Sequence, residues 1–392
     1  MNKRSIPYGR QWLSDEDINR ALAVLQSDWI TQGPTVGEFE QAVAKYVGAK
    51  YAVAFSSGTA ALHGAMHVAG VEKGTEVITS PVTFLATPNA AVYCGGRPVF
   101  ADISPETYCL DVKKASAVIT QKTKVLAPVD LAGYPIDITP FCDLAADHDC
   151  VVIEDAAHAL GARRSGRMVG SEADMTMFSF HPVKHITTGE GGMIVTNNEE
   201  YAEGLRMFRN HGTTKDPARL EGNDGLWYYE MQDLGYNYRL TDIQSALGLS
   251  QLEKIESFVE RRNEIAARYD EAFMSHPNIR TSPRAPQSSA VSKPTPDNRH
   301  AYHIYPVLLD GVSRKDVFVA LRERGILCQV HYIPVHLQPY YQRAFGYHAG
   351  DFPVSEWYYG HEITIPLYPR MSDEDVTFVI ETLSDVVEKC AK

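Results

Sequence analysis

The sequence predicts an α/β protein: a large domain built on a mostly parallel sheet, followed by a smaller C-terminal α+β domain. Three observations carry this expectation. Between about residues 50 and 200, short continuous apolar runs alternate with helix-like segments. Such runs suit strands covered by helices on both faces. A long helical pattern then opens near Thr241. Beyond it, a Pro- and Ser-rich stretch at 282–300 precedes a remainder with its own strand and helices. The expected division is residues 1–255, an N-terminal arm and the large domain, and residues 256–392, the small domain.

The elements follow in order. YAVAF (51–55) leads into a helical pattern from Thr59, and EVITS (76–80) into another from Phe84 that ends at Gly95-Gly96. PVFADI (98–103), KVLAPVD (124–130) and VVIED (151–155) continue the series, the last preceded by a helix over Pro140–His148. MTMFSF (175–180) and GMIVTN (192–197), separated by a Gly-rich loop, are expected to add a further pair of strands. From Thr241 to Phe273 the positions Ile243, Leu247, Leu252, Ile255, Val259, Ile265 and Tyr269 repeat at helical spacing, predicting one long helix. The 282–300 stretch reads as an exposed, mobile loop. HIYPVLL is a strand, and Ser372, three residues before Asp375, caps a closing helix that turns Val376, Val379, Ile380, Leu383 and Val387 inward.

Composition narrows the function classes. The 392 residues carry 37 basic and 49 acidic side chains, a net charge of −12. That field repels phosphate backbones, and no basic run offsets it, so no nucleic-acid partner is expected. The N-terminus lacks an apolar segment behind its basic residues, and no stretch approaches eighteen apolar residues, so no membrane partner is expected either. Six scattered cysteines without a C-x-x-C pair suit reduced thiols in the cytoplasm.

Three features look like chemistry. SSGTAAL (56–62) falls where a strand ends and a helix begins, so free backbone N–H groups and the helix dipole could hold a phosphate. A tight capped turn explains the same residues. Asp155 closes VVIED, at the strand end where open α/β sheets bind ligands, or else it caps the next turn. Lys184 is the single Lys or Arg among the 38 residues between Arg167 and Arg206. Burial there would lower its pKa, as a lysine that condenses with an aldehyde requires, whereas a snorkelling surface lysine is the plain alternative. His181 and His185 are spaced like a metal pair, but Pro182 breaks the helix they would need and no third ligand is evident, so no metal is expected. Together, an anion turn, a strand-end acid and a lone lysine meet the needs of pyridoxal 5′-phosphate (PLP): phosphate, ring nitrogen and aldehyde.

SSGTAAL, EDAAHALG, FSFHPVKHITTGEGG and LGYNYRLTDIQSALGLSQL, in this order, resemble the PLP-dependent sugar aminotransferases of the DegT/DnrJ/EryC1/StrS family. The resemblance spans nearly the whole chain. It implies the aspartate-aminotransferase-like fold (PLP fold type I) and a homodimer with shared active sites. VDLAG, SFHPVKHITT and RGILCQVHY look like the family branch of pseudaminic acid synthesis. That branch makes UDP-4-amino-4,6-dideoxy-N-acetyl-β-L-altrosamine from a UDP-linked keto sugar with L-glutamate as donor. SSGT departs from the branch, being nearer the general family. The resemblance gives Lys184 the cofactor and the proton transfer, and Asp155 the pyridine nitrogen. It places Gly58, Thr59 and Ser179 on the phosphate, Phe84 and His158 against the ring, and Asn237 across the dimer. Tyr8, the stretch Asp28-Trp29-Ile30-Thr31, and Gln329-Val330-His331-Tyr332 fall to the sugar nucleotide. Another nucleotide-sugar 4-aminotransferase, or a PLP-binding regulator without turnover, are the alternatives.

Overall fold

The computed structural model describes residues 4–284 and 297–391. The expected loop at 282–300 therefore lies mostly outside the described residues.

Seven strands form the main sheet: β1 (Tyr51–Phe55), β2 (Glu76–Thr79), β3 (Arg97–Phe100), β4 (Thr123–Ala127), β5 (Val151–Asp155), β6 (Met175–Ser179) and β7 (Gly192–Thr196). Their spatial order is β1-β7-β6-β5-β4-β2-β3. Strands β2 to β6 pair in parallel, while β7 runs antiparallel between β1 and β6. The sheet is thus mixed, and the expected further pair is β6 and β7. Alternate residues of β1 show why the runs are apolar throughout. Val53 and Phe55 pack with Leu62 and Met66 of helix α1 (Gly58–Val68) on one face. Ala52 and Ala54 pack with Phe39 and Phe178 on the other. A strand with both faces covered has no position left for a polar side chain.

Helix α2 (Ala86–Tyr93) begins two residues after Phe84, which lies in the preceding loop. The predicted long helix is two: α3 (Asp242–Leu252), opened by a Thr241–Gln244 capping box, and α4 (Ile255–Phe273). The break is a tightened turn in which the Lys254 N–H donates to the Gln251 carbonyl. The Lys254 side chain is pulled aside by Asp17 and Ser14 of the N-terminal arm (2.5 and 2.9 Å). Apolar spacing continues through such a turn, so periodicity alone could not reveal it.

The C-terminal part holds a small antiparallel sheet of β8 (Ile279–Arg280), β9 (Tyr305–Leu309) and β10 (Glu362–Ile365). It shares a core with α4 and the last helix, α5 (Asp373–Cys390). Ser372 Oγ accepts from the Asp375 N–H, and Val376, Val379, Leu383 and Val387 are buried, as the pattern predicted; Ile380 is half-buried at the edge of this core. Near the N-terminus, Ile6 and Pro7 pair in parallel with Ile326 and Leu327. That pairing carries Tyr8 to the mouth of the main sheet, where its carbonyl accepts from the Leu367 N–H (3.0 Å).

Candidate active site

Beyond the C-terminal ends of the parallel strands lies a cavity of about 430 Å³. Strand-end ligand sites are the rule for open α/β sheets. Of the expected residues it brings together Tyr8, Gly58, Thr59, Phe84, Asp155, His158, Ser179, Lys184, His331 and Tyr332.

The anion turn is built by close approach. Ser57 caps α1 by accepting from the Ala60 N–H (3.1 Å), and its carbonyl takes the Ala61 N–H. The Gly58 and Thr59 N–H groups, ahead of these, have no acceptor among the described residues. A Cβ at Gly58 would lie 3.3 Å from that of Ser179, so the Ser179 hydroxyl borders the turn. At Gly192 of β7 a Cβ would sit 2.5–2.6 Å from the backbone of Ser57 and Gly58, so only glycine lets the strand come this near.

Asp155 ends β5. Its Oδ2 accepts from Thr87 and its Oδ1 from the Ala157 N–H (3.1 Å). Burial pushes its pKa up, while these donors and the Lys184 charge favour the carboxylate. No ion pair neutralises it among the described residues.

Lys184 lies in a non-helical loop, half-buried on the cavity wall. Desolvation lowers its pKa to about 8, against the pull of Asp155. It is a cavity-facing lysine with a depressed pKa rather than a snorkelling one. Phe84, by default a core residue, is exposed into the cavity. The tautomer of His158 is set by its neighbours. Its Nδ1 accepts from the Ala132 N–H (3.2 Å), so the ring proton sits on Nε2, facing the Tyr332 hydroxyl at 3.2 Å. His331 Nδ1 meets Thr364 Oγ1 at 2.8 Å, and burial lowers its pKa to about 3.

The residues present fit PLP. A helix N-terminus with two free N–H groups and a serine suits its phosphate. A buried carboxylate without an ion-pair partner suits a protonated ring nitrogen, and a low-pKa amine suits an aldehyde.

Residues 11–384 match the model of the DegT/DnrJ/EryC1/StrS aminotransferase family. The chain belongs to this family. It is 42% identical over 388 residues to the spore coat polysaccharide biosynthesis protein SpsC of Bacillus subtilis, covering 98% of this chain and 97% of that one. It is 35% identical over 393 residues to the UDP-4-amino-4,6-dideoxy-N-acetyl-β-L-altrosamine transaminase of Campylobacter jejuni, covering 99% of each. Among solved structures, the putative sugar aminotransferase Spr1654 from Streptococcus pneumoniae, PMP-form, matches with a TM-score of 0.90 at 32% identity over 98% of this chain and 100% of that one. The chain is therefore a sugar aminotransferase of PLP fold type I, and its cofactor is PLP. Identity to SpsC exceeds identity to the altrosamine transaminase, so the sugar is a separate question from the family.

Other expected residues lie elsewhere. Asp28–Thr31 form an exposed turn, with Trp29 and Ile30 in solvent. Asn237 bridges to Asn210. Gln32 and Gly33, next to the turn, line a second cavity of about 580 Å³ together with Asn210 and Arg239. Gln329 pairs its backbone with Thr364, and neither it nor Val330 lines the Lys184 cavity. Conversely, Thr83, Thr87 and His303 were not evident in the sequence. Thr87 lies 68 residues from Asp155 and His303 lies 119 from Lys184. Only the faint pattern of two threonines at i, i+4 beside Phe84 marked the first pair. Among the described residues no helix is long and apolar enough to cross a membrane.

Proposed function

We propose that this chain transfers the amino group of L-glutamate to C4 of a UDP-linked 4-keto-6-deoxy-N-acetyl sugar. The products are UDP-4-amino-4,6-dideoxy-N-acetyl-β-L-altrosamine and 2-oxoglutarate. The observation that carries the reaction is the Lys184 amine and the Asp155 carboxylate facing one cavity beside a free helix N-terminus. PLP, when bound, supplies the electron sink that lets an amino group pass between two carbonyl carbons. Lys184 Nζ takes a proton from one carbon and returns it to another, and a pKa near 8 suits an amine that must do both at neutral pH. Asp155, held by Thr87 and Ala157, keeps the ring nitrogen protonated. Gly58, Thr59 and Ser179 hold the phosphate, and Phe84 and His158 bracket the ring. Tyr8, His331 and Tyr332 line the remaining wall and face the sugar.

The working unit is a homodimer. Asn237, Gln32 and Arg239 gather away from Lys184 on the same chain, where they can serve a partner's cavity. Leu226, Trp227, Tyr229 and Met231 are exposed in one segment, apolar area that a second copy would cover.

A second reading is another nucleotide-sugar 4-aminotransferase, favoured by the 42% identity to SpsC and by SSGT at 56–59. The test is a panel of isomeric UDP-linked 4-keto-6-deoxy-N-acetyl sugars with L-glutamate, read by mass spectrometry. Amination chiefly of the isomer leading to the L-altro product supports the first reading. Amination of a different isomer supports the second, and no amino sugar from any of them refutes both.

A further inference from the structure

We propose that His303 is the partner of the free Lys184 amine, donating its Nε2–H to Nζ and so favouring the uncharged form of the amine. This rests on the reading of Lys184 as the cofactor-bearing lysine.

His303 precedes β9 and is fixed through its backbone. Its N–H donates to the Ala132 carbonyl (2.9 Å), and its own carbonyl accepts from Arg262 Nη1 (3.1 Å). The same guanidinium also donates to the carbonyls of Tyr302 and Leu367. The imidazole is thereby delivered to the cavity wall with Nε2 3.4 Å from Lys184 Nζ, a long hydrogen bond. Its Nδ1 is buried with no partner among the described residues.

That orphan atom decides the direction of the bond. Were Nε2 to accept from a lysine ammonium, the ring proton would sit on Nδ1, a buried N–H with nothing to receive it. Were Nε2–H to donate to a neutral amine, Nδ1 would carry only a bare lone pair. Native interiors leave a buried N–H without an acceptor more rarely than a buried acceptor without a donor.

The neighbours leave this choice undisturbed. His158 lies tilted against His303, with ring centroids 4.3 Å apart and planes 45° apart, but its single ring proton is committed to Tyr332. His185 lies 5.7 Å away, and its Nε2 must donate to the Ala301 carbonyl (3.1 Å). Arg262 is the fixed positive charge behind the ring, and Asp155 is the carboxylate that acts on the amine. Burial drives the pKa of all three imidazoles down, so none brings a charge beside the lysine. His303 is a positioning residue: it offers the displaced lysine a resting place in the protonation state that can add to a carbonyl carbon again.

The test uses the full chain freed of cofactor, with Lys184 labelled competitively by acetic anhydride across pH and read by peptide mass spectrometry. The wild-type midpoint is expected near 8. His303→Phe keeps a ring and its exclusion of water but loses the donor, so the midpoint should rise by about one unit. His303→Gln keeps an N–H donor and should stay near wild type. An unchanged midpoint in His303→Phe would mean that no bond exists, and a fall would mean that Nε2 accepts from the ammonium. Either result overturns the proposal. If His303→Phe fails to fold by circular dichroism, His303→Leu is read in its place with the same expected direction. The labelling needs neither glutamate nor sugar, so it stands apart from the choice of substrate. A wild-type midpoint like that of a free lysine would overturn the site reading and this proposal with it.

Discussion

Thr87 donates its hydroxyl to Asp155 Oδ2, and Thr83 Oγ1 stands 3.1 Å behind it. Donors from the loop and helix that follow β2 therefore offset part of the burial that pushes up the pKa of the acid ending β5. Removing one such charge-assisted bond costs about 1.5–3 kcal/mol. Thr87→Val should lower kcat roughly tenfold or more, with Thr87→Ser recovering most of it. Asp155→Asn should cost about 10²–10³-fold, as loss of a preorganised charge does. Steady-state kinetics with L-glutamate checks both, and an unchanged kcat in Asp155→Asn would reduce the acid to a turn cap.

The lysine gives a pH signature. Burial lowers the Lys184 pKa from 10.5 to about 8, while Asp155 opposes the shift. The uncharged amine is the form that adds to an aldehyde, so PLP uptake by the cofactor-free chain should quicken up to about pH 8 and then level off. A rise continuing past pH 10 would mark an ordinary lysine. The stability sign follows from the same shift. Between about 8 and 10.5 the unfolded chain binds more protons at this site than the folded one, so its contribution to stability increases with pH across that window.

Gly192 tests the anion turn. A methyl group there would collide with the Ser57 carbonyl and with Gly58 at 2.5–2.6 Å, all backbone. Gly192→Ala should push β7 from the turn, cost about 1–3 kcal/mol of stability, and weaken PLP retention. Equilibrium dialysis of the cofactor and thermal melting measure the two effects. A variant that melts and binds PLP like wild type would show that the turn does not hold the phosphate.

Asn237 tests the shared site. If it serves the partner's cavity, Lys184→Ala and Asn237→Ala chains should each be impaired alone yet restore activity when mixed and refolded. Random pairing makes half the dimers mixed, each with one intact site, so recovery should reach about a quarter of wild type. Mixtures no better than the separate variants would confine each site to one chain.

Much of this was legible in the sequence because the physics involved is local. The strands of the main sheet are short apolar runs, and a strand covered on both faces must be one. Asp155 stands out by its place after such a run, and Lys184 by its isolation from other basic residues. Contacts that depend on the path of the chain left no mark. The i−3 turn at Lys254 leaves apolar spacing intact while its side chain is drawn to Asp17. Tyr8 reaches the cavity only because Ile6 pairs with Ile326. His303 leaves no mark either, since nothing near Ala301–Tyr305 announces that Arg262 holds this segment against Lys184. Gln329 and Val330 were expected beside His331 and Tyr332, yet Gln329 is occupied with Thr364.

The most direct test of the central claim is to reduce the PLP-loaded enzyme with borohydride, digest it, and find the modified peptide by mass spectrometry. The site described here predicts a phosphopyridoxyl group on the peptide carrying Lys184, and none on the Lys184→Ala chain. The same mass on another lysine, or undiminished labelling of Lys184→Ala, would contradict it.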